Sequence, residues 1–224
     1  MSETIIMHKS TTKNKMVKMD NIDNHTRWTD HVYWNKLVTE KTGINCPDDW
    51  QYWIVNLNLE LGLPWITPGA IIRLQELLKK DFHVVEFGCG GSTIFFANRC
   101  NFVISYESDP EFYEKVNTLL LQNELNHVHL SLLTTREDYV NVIAGIPDKT
   151  IDCVLIDSAI PGLIGRAEIG RLFLPKLKQS GFMIMDNYFH ACHIVEELVF
   201  AGWIQEDYND IHWHGVGTRF TFQQ

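Results

Sequence analysis

From Pro68 onward, short apolar runs alternate with helix-like stretches, and this alternation constrains the fold more than any other feature of the chain. Residues 68–80, PGAIIRLQELLKK, place Ile71, Leu74, Leu77 and Leu78 along one helical stripe. HVVEFG (83–88) follows, rich in β-branched residues and ended by glycine, and Ser92 to Cys100 reads as a helix. FVISYES (102–108) is the second strand. Asp109-Pro110-Glu111 then carries the marks of a helix start: an N-cap acid, a proline in the first turn, and an acid near the positive helix end. That helix is expected to reach about Asn123. HVHLSLL (127–133), IDCVLID (151–157) and GFMIMDN (181–187) are the third to fifth strands. Between them lie a short helix from Arg136 to Ile143 and a helical segment over 163–178, which Pro175 bends or divides. A helix over 189–201 precedes GWIQEDY (202–208) and GTRFTFQ (217–223), two strands with no room for a helix between them.

Parallel strands need a crossover, so strands alternating with helices predict a parallel sheet. The short final connection forces one reversed strand near the C-terminus. The expected fold class is therefore α/β: a doubly wound mixed sheet of about seven strands, the last antiparallel, with helices on both faces.

The 224 residues fit one domain of ordinary size with an N-terminal extension. Residues 1–24 mix Lys, Thr, Asn and Met without an apolar core and are expected to form a flexible tail. Residues 25–67 hold Trp28, Trp34, Trp50, Trp53 and Trp65 and are expected to form a helical cap or lid over residues 68–224. The formal charge is −9 with no long basic run, which argues against a nucleic-acid partner. Cys46, Cys89, Cys100, Cys153 and Cys192 are scattered and include no CxxC pair, so a reducing, cytoplasmic setting is expected and a structural zinc site is not. No apolar run is long enough to span a bilayer. Self-association into a homo-oligomer stays open.

Glu86-Phe87-Gly88-Cys89-Gly90-Gly91-Ser92-Thr93 joins the first strand to its helix. Glycines there let the backbone turn sharply and approach a ligand closely. A dinucleotide fingerprint needs a further glycine where Thr93 stands, which counts against a nicotinamide or flavin cofactor. Glu86 stands two residues before the first glycine, placed to meet a ligand ammonium or to hold the loop. Glu107 ends the second strand about twenty residues on, where a carboxylate can accept both hydroxyls of a ribose.

VVEFGCGGST followed by ISYESDPEFYEKV resembles the first two motifs of class I methyltransferases that use S-adenosylmethionine (SAM), and the likeness extends over about residues 68–224, the reversed last strand included. It implies a Rossmann-like methyltransferase fold with SAM as cofactor. It implies that Glu86, Gly88 and Gly90 line the methionine part of SAM, that Ser92 and Thr93 flank the loop, that Glu107 holds the ribose and that Ser108 lies near the adenine. The acidic dipeptide common after the third strand is replaced by Leu133-Thr134-Thr135-Arg136, so Thr134 or backbone groups would serve the adenine.

Asp157 ends the fourth strand and Asp186-Asn187 the fifth, where ligands of open parallel sheets sit. Asp157 is thereby a candidate for both cofactor contact and catalysis. Oxygen donors from Asp157, Asp186 and Asn187 suit a hard cation such as Mg²⁺. The pattern is similar to the metal site of catechol-type O-methyltransferases, although the lysine base of that family is replaced by Ser158-Ala159-Ile160-Pro161. His190 is the leading candidate for a general base, ahead of His193, His212 and His214. The Asn-Pro-Pro-aromatic motif of many base methylases is absent. The resemblance points to O-methylation of a small molecule or a glycan hydroxyl. A nicotinamide-dependent oxidoreductase or epimerase, and a non-catalytic SAM-binding module, are the alternatives.

Overall fold

The computed structural model describes residues 31–46, 58–158, 164–188, 202–208 and 217–223. Two helices, α1 (His31–Thr42) and α2 (Asn58–Leu61), precede α3 (Pro68–Leu77). Then come β1 (His83–Phe87), α4 (Gly91–Ala97), β2 (Phe102–Glu107), α5 (Pro110–Gln122), β3 (Val128–Leu132), α6 (Arg136–Gly145), β4 (Ile151–Ile156) and α7 (Arg166–Phe173). A 3₁₀ turn over Leu174–Lys176 leads into β5 (Leu177–Asp186), followed by β6 (Ile204–Tyr208) and β7 (Thr218–Phe222). The expected tail 1–24, Trp28, Trp50, Trp53 and the helix over 189–201 lie outside the described residues.

The seven strands form one sheet in the order β3-β2-β1-β4-β5-β7-β6. β1 pairs in parallel with β2 and β4, β2 with β3, and β4 with β5. β7 runs antiparallel to both β5 and β6. Six strands thus share one direction, and the reversed one is wedged between β5 and β6. The strand order reverses beside β1: β2 and β3 build outward on one side, and β4 and β5 on the other. This is the topological switch point at which open sheets bind ligands.

Each central strand sends successive side chains to opposite faces. Val85 and Phe87 pack with Tyr139, Ile143, Ile169 and Phe173 under α6 and α7. Val84 packs on the other face with Leu74, Phe95 and Phe96 of α3 and α4. Val38, Leu63 and Ile66 join this second core, so the described part of the N-terminal segment shares the sheet's interior. α5 starts as its sequence demands: Asp109 accepts from the Glu111 and Phe112 N–H groups, at 2.8 and 3.0 Å. Pro175 stands in the 3₁₀ turn that ends α7, as its lost N–H requires.

β5 starts four residues before the expected strand. Lys178, Gln179 and Ser180 are polar and hide its beginning, yet Leu177 already pairs with Ile151 across a register shift before Cys153. That pairing is long-range and leaves no local pattern. Among the described residues no helix is long and apolar enough to cross a membrane.

Gly91 shows how tightly the N-terminal segment sits. A Cβ there would stand 2.1 Å from the Leu63 carbonyl oxygen and 2.4 Å from that of Asn58, both backbone atoms. Gly91→Ala is expected to cost roughly 3 kcal/mol by overpacking. Gly145→Ala, whose Cβ meets nothing within 4 Å, is expected to stay within about 1 kcal/mol of the parent. Urea denaturation of the two variants checks this pair, and equal stability would show that the segment does not close on the loop.

Candidate cofactor site

Four carboxylates converge at the carboxyl ends of neighbouring strands: Glu86 on β1, Glu107 on β2, Asp157 just after β4 and Asp186 on β5. Carboxylates this close repel one another and resist leaving water, so each needs a compensating partner.

Gly88 makes the turn that brings them together. Its φ of +102° lies in the region open mainly to glycine. A Cβ there would stand 3.1 Å from the Ser158 nitrogen, so the turn rests directly on the end of β4. The Gly88 N–H donates to the Tyr106 carbonyl at 2.8 Å, and the Asp157 N–H to that of Phe87 at 2.9 Å. A cavity of about 290 Å³ opens at this junction, lined by Gly88, Cys89, Glu107, Asp157, Ser158 and Arg166. It stands at the switch point beside β1.

Glu107 lines the cavity and accepts three backbone donors. The Cys89 N–H reaches Oε2 at 2.9 Å, and the N–H groups of Ser108 and Asp109 reach Oε1 at 2.7 and 2.9 Å. Its carboxylate is thereby fixed with lone pairs to spare for a diol.

Glu86 stands behind the loop. It is fully buried and is not part of the cavity wall. Its Oε1 accepts from the Ser92 hydroxyl at 2.6 Å and its Oε2 from that of Ser105 at 2.8 Å. Thr93 Oγ1 accepts the Gly90 N–H at 2.9 Å. Of the two sequence alternatives, ligand contact or loop support, the geometry has Glu86 bracing the loop from behind, with Ser92 and Thr93 as its neighbours. Gly90 faces the Phe112 ring, 3.6 Å from where its Cβ would be.

Ser108 is half-buried beside Glu107, close to the expected adenine end. Thr134 is exposed and its N–H already donates to Asp138 at 3.1 Å, which leaves its hydroxyl and not its N–H to meet a ligand. Cys89 faces the cavity, but burial and then the Glu107 charge push its thiol well up, so it remains a neutral thiol and not a nucleophile.

At the far side, Asp186 is buried and its Oδ1 accepts from the Thr218 hydroxyl at 2.6 Å. Asp157 forms an ion pair with Arg166 at 3.0 Å. Burial raises the Asp157 carboxyl to about 6 against the lowering pull of Arg166, and burial, followed by the charge of Asp157, raises that of Asp186. Asn187 adopts a left-handed φ of 48°, and its side-chain oxygen accepts from Arg166 at 3.2 Å.

The expected Mg²⁺ donors are thus brought together, but as partners of other groups. Asp157 and Asn187 are held by a guanidinium and Asp186 by a hydroxyl, and among the described residues no cluster of His, Cys, Asp and Glu forms a metal set. The residues as they stand do not fit a divalent ion. Arg166 escaped the sequence reading. The available signal was its position at the start of a helix, where a positive charge opposes the macrodipole and calls for an anionic partner. His190, His193, His212 and His214 lie outside the described residues.

No protein-family model and no curated protein sequence matches the chain. Its architecture, by contrast, is similar to that of several solved structures. An O-methyltransferase from Bacillus cereus, solved with S-adenosylhomocysteine, matches with a TM-score of 0.60 at 14% identity, over 85% of this chain and 98% of that one. The chain has the fold of the SAM-dependent methyltransferases. A Klebsiella pneumoniae protein proposed to be an O-methyltransferase matches at a TM-score of 0.59 and 15% identity, over 88% and 98% of the two chains. Precorrin 8w decarboxylase of Methanobacterium thermoautotrophicum matches at 0.51 and 22%, over 68% and 86%. The methyltransferase fold therefore frames the site, and the reaction has to be argued from the residues in it.

Glu86 gives the site a pH signature. Burial raises its carboxyl from 4.5 to about 7, against the hydroxyls of Ser92, Thr93 and Ser105. Between those values the folded state holds a proton that the unfolded chain has released. The resulting stabilisation is complete below about 4.5 and is lost as the pH rises through about 7. Glu86→Gln carries no such charge, so its stability relative to the parent is expected to improve from pH 5 to pH 8. Urea denaturation at several pH values checks this, and parallel pH profiles would contradict it.

Proposed function

We propose that this chain binds SAM and transfers its methyl group to an oxygen of a small-molecule acceptor, glycan hydroxyls included. The observation that carries the proposal is the charge of the cavity. Glu107 and Asp157 face it, and Arg166 offsets the charge of Asp157. SAM, with a sulfonium and an amino-acid group, carries net positive charge and suits such a wall. The pyrophosphate of a nicotinamide dinucleotide would meet the Glu107 carboxylate, a repulsion of about 4 kcal/mol for a pair of unit charges 4 Å apart near a protein surface. The Bacillus cereus O-methyltransferase, described with S-adenosylhomocysteine bound, supports the same reading through its fold.

In this reading Gly88 and Cys89 bring the loop backbone against the methionine part, and Glu107 accepts the ribose hydroxyls. Ser108 and Thr134 lie towards the adenine. When bound, SAM supplies an activated methyl group that passes to the acceptor oxygen as the S–C bond breaks and the hydroxyl proton leaves, giving a methyl ether and S-adenosylhomocysteine. The protein's share is to hold the acceptor in line with that methyl group and to receive the proton. Asp157 stands at the cavity wall for the first task. His190, on the segment after β5, is proposed for the second.

Isothermal titration is expected to show saturable binding of SAM and none of NAD. Glu107→Gln is expected to weaken SAM binding about tenfold or more, the value of a hydrogen bond to a charged group. Turnover to S-adenosylhomocysteine is expected with at least one hydroxyl acceptor from a broad panel. Stabilisation by NAD alone would overturn the proposal, and SAM binding without turnover on every acceptor would make the chain a binding module.

A further inference from the structure

Arg166 occupies the place where the chain's oxygen donors would meet a metal. One terminal nitrogen of its guanidinium donates to the Asp157 carboxylate at 3.0 Å and to the Asp157 carbonyl at 2.6 Å. The other donates to the Asp186 carbonyl and to Asn187 Oδ1. These four acceptors come from the ends of two adjacent strands, β4 and β5. Two are backbone carbonyls, whose direction the strands fix. The side chain is only 15% exposed, and it forms part of the cavity wall with Asp157.

The geometry points to Arg166 as the resident cation of the acceptor end of this site, taking the place of a divalent ion. The inference rests on the methyl-transfer reading only for the word acceptor; the claim about the cation stands by itself. A guanidinium offers five N–H donors in a rigid plane, and four of them are used here to tie the two strand ends together. It needs no recruitment from solution. A divalent ion at the same oxygens would face both the guanidinium charge and the loss of these hydrogen bonds, so the two cations exclude each other. Arg166 is a positioning residue in this account: it ties Asp157, at the cavity, to Asn187 and neutralises Asp157.

The test is a titration of the full chain with Mn²⁺, followed by electron paramagnetic resonance. The parent protein is expected to bind no Mn²⁺ saturably in the millimolar range, and its SAM turnover is expected to be unchanged in chelator. Arg166→Ala frees Asp157 and Asn187 and is expected to gain a Mn²⁺ site at least about tenfold tighter than any in the parent, lost again in the double variant with Asp157→Asn. Arg166→Lys keeps a charge at this place and is expected to stay free of Mn²⁺. Saturable binding of one Mn²⁺ by the parent would overturn the inference, as would a folded Arg166→Ala protein that gains no site. If Arg166→Ala does not fold, the parent and Arg166→Lys titrations decide it. A failure of SAM binding would sink the methyl-transfer reading and leave these metal results unaffected.

Discussion

Four carboxylates at the ends of four strands are the constraint on which the rest of this structure depends. Glu86, Glu107 and Asp186 are buried and Asp157 is half-buried, and each is answered by a different device. Hydroxyls on α4 and β2 answer Glu86, three backbone N–H groups answer Glu107, Thr218 answers Asp186 and Arg166 answers Asp157. Each device fixes one element against another. The Glu86 pair holds α4 onto β1 and β2. The Thr218 bond ties β7 to β5, and the Thr67 N–H reaches the same hydroxyl at 3.3 Å, so the entrance to α3 is joined to the sheet. An acidic site of this kind costs stability wherever a charge is buried, and the surrounding fold supplies the compensation.

Much of this was legible in the sequence because it is local. Alternating apolar runs marked the strands, and the lack of room for a helix between residues 208 and 217 required the reversed β7. Glu107 stood at the end of a recognisable strand and faces the cavity as its position implied. The sequence did not resolve the role of Glu86, because the same spacing suits an acid facing a ligand and one bracing a loop. Only the hydroxyls of Ser92 and Ser105, six and nineteen residues away, separate the two. The need for glycine at position 91 was hidden for the same reason, since the atoms that forbid a side chain belong to Asn58 and Leu63.

Arg166 shows the limit most clearly. Asp157, Asp186 and Asn187 have the right chemistry for Mg²⁺, and composition alone cannot tell a metal set from an acid pair awaiting an arginine. The deciding information is a contact between α7 and the ends of two strands, separated by nine to twenty-one residues. A basic residue at a helix N-terminus following an acidic strand end is therefore worth weighing against any metal assignment built on that acid.

The central claim is that the acid-walled cavity beside β1 receives the adenosine and sulfur of SAM. A crystal structure of the chain with S-adenosylhomocysteine tests it most directly. The account predicts the ribose hydroxyls within hydrogen-bond distance of the Glu107 carboxylate, the sulfur near Gly88 and Asp157, and the Arg166 bonds to β4 and β5 intact. A ligand bound elsewhere, or one whose ribose does not touch Glu107, would contradict it.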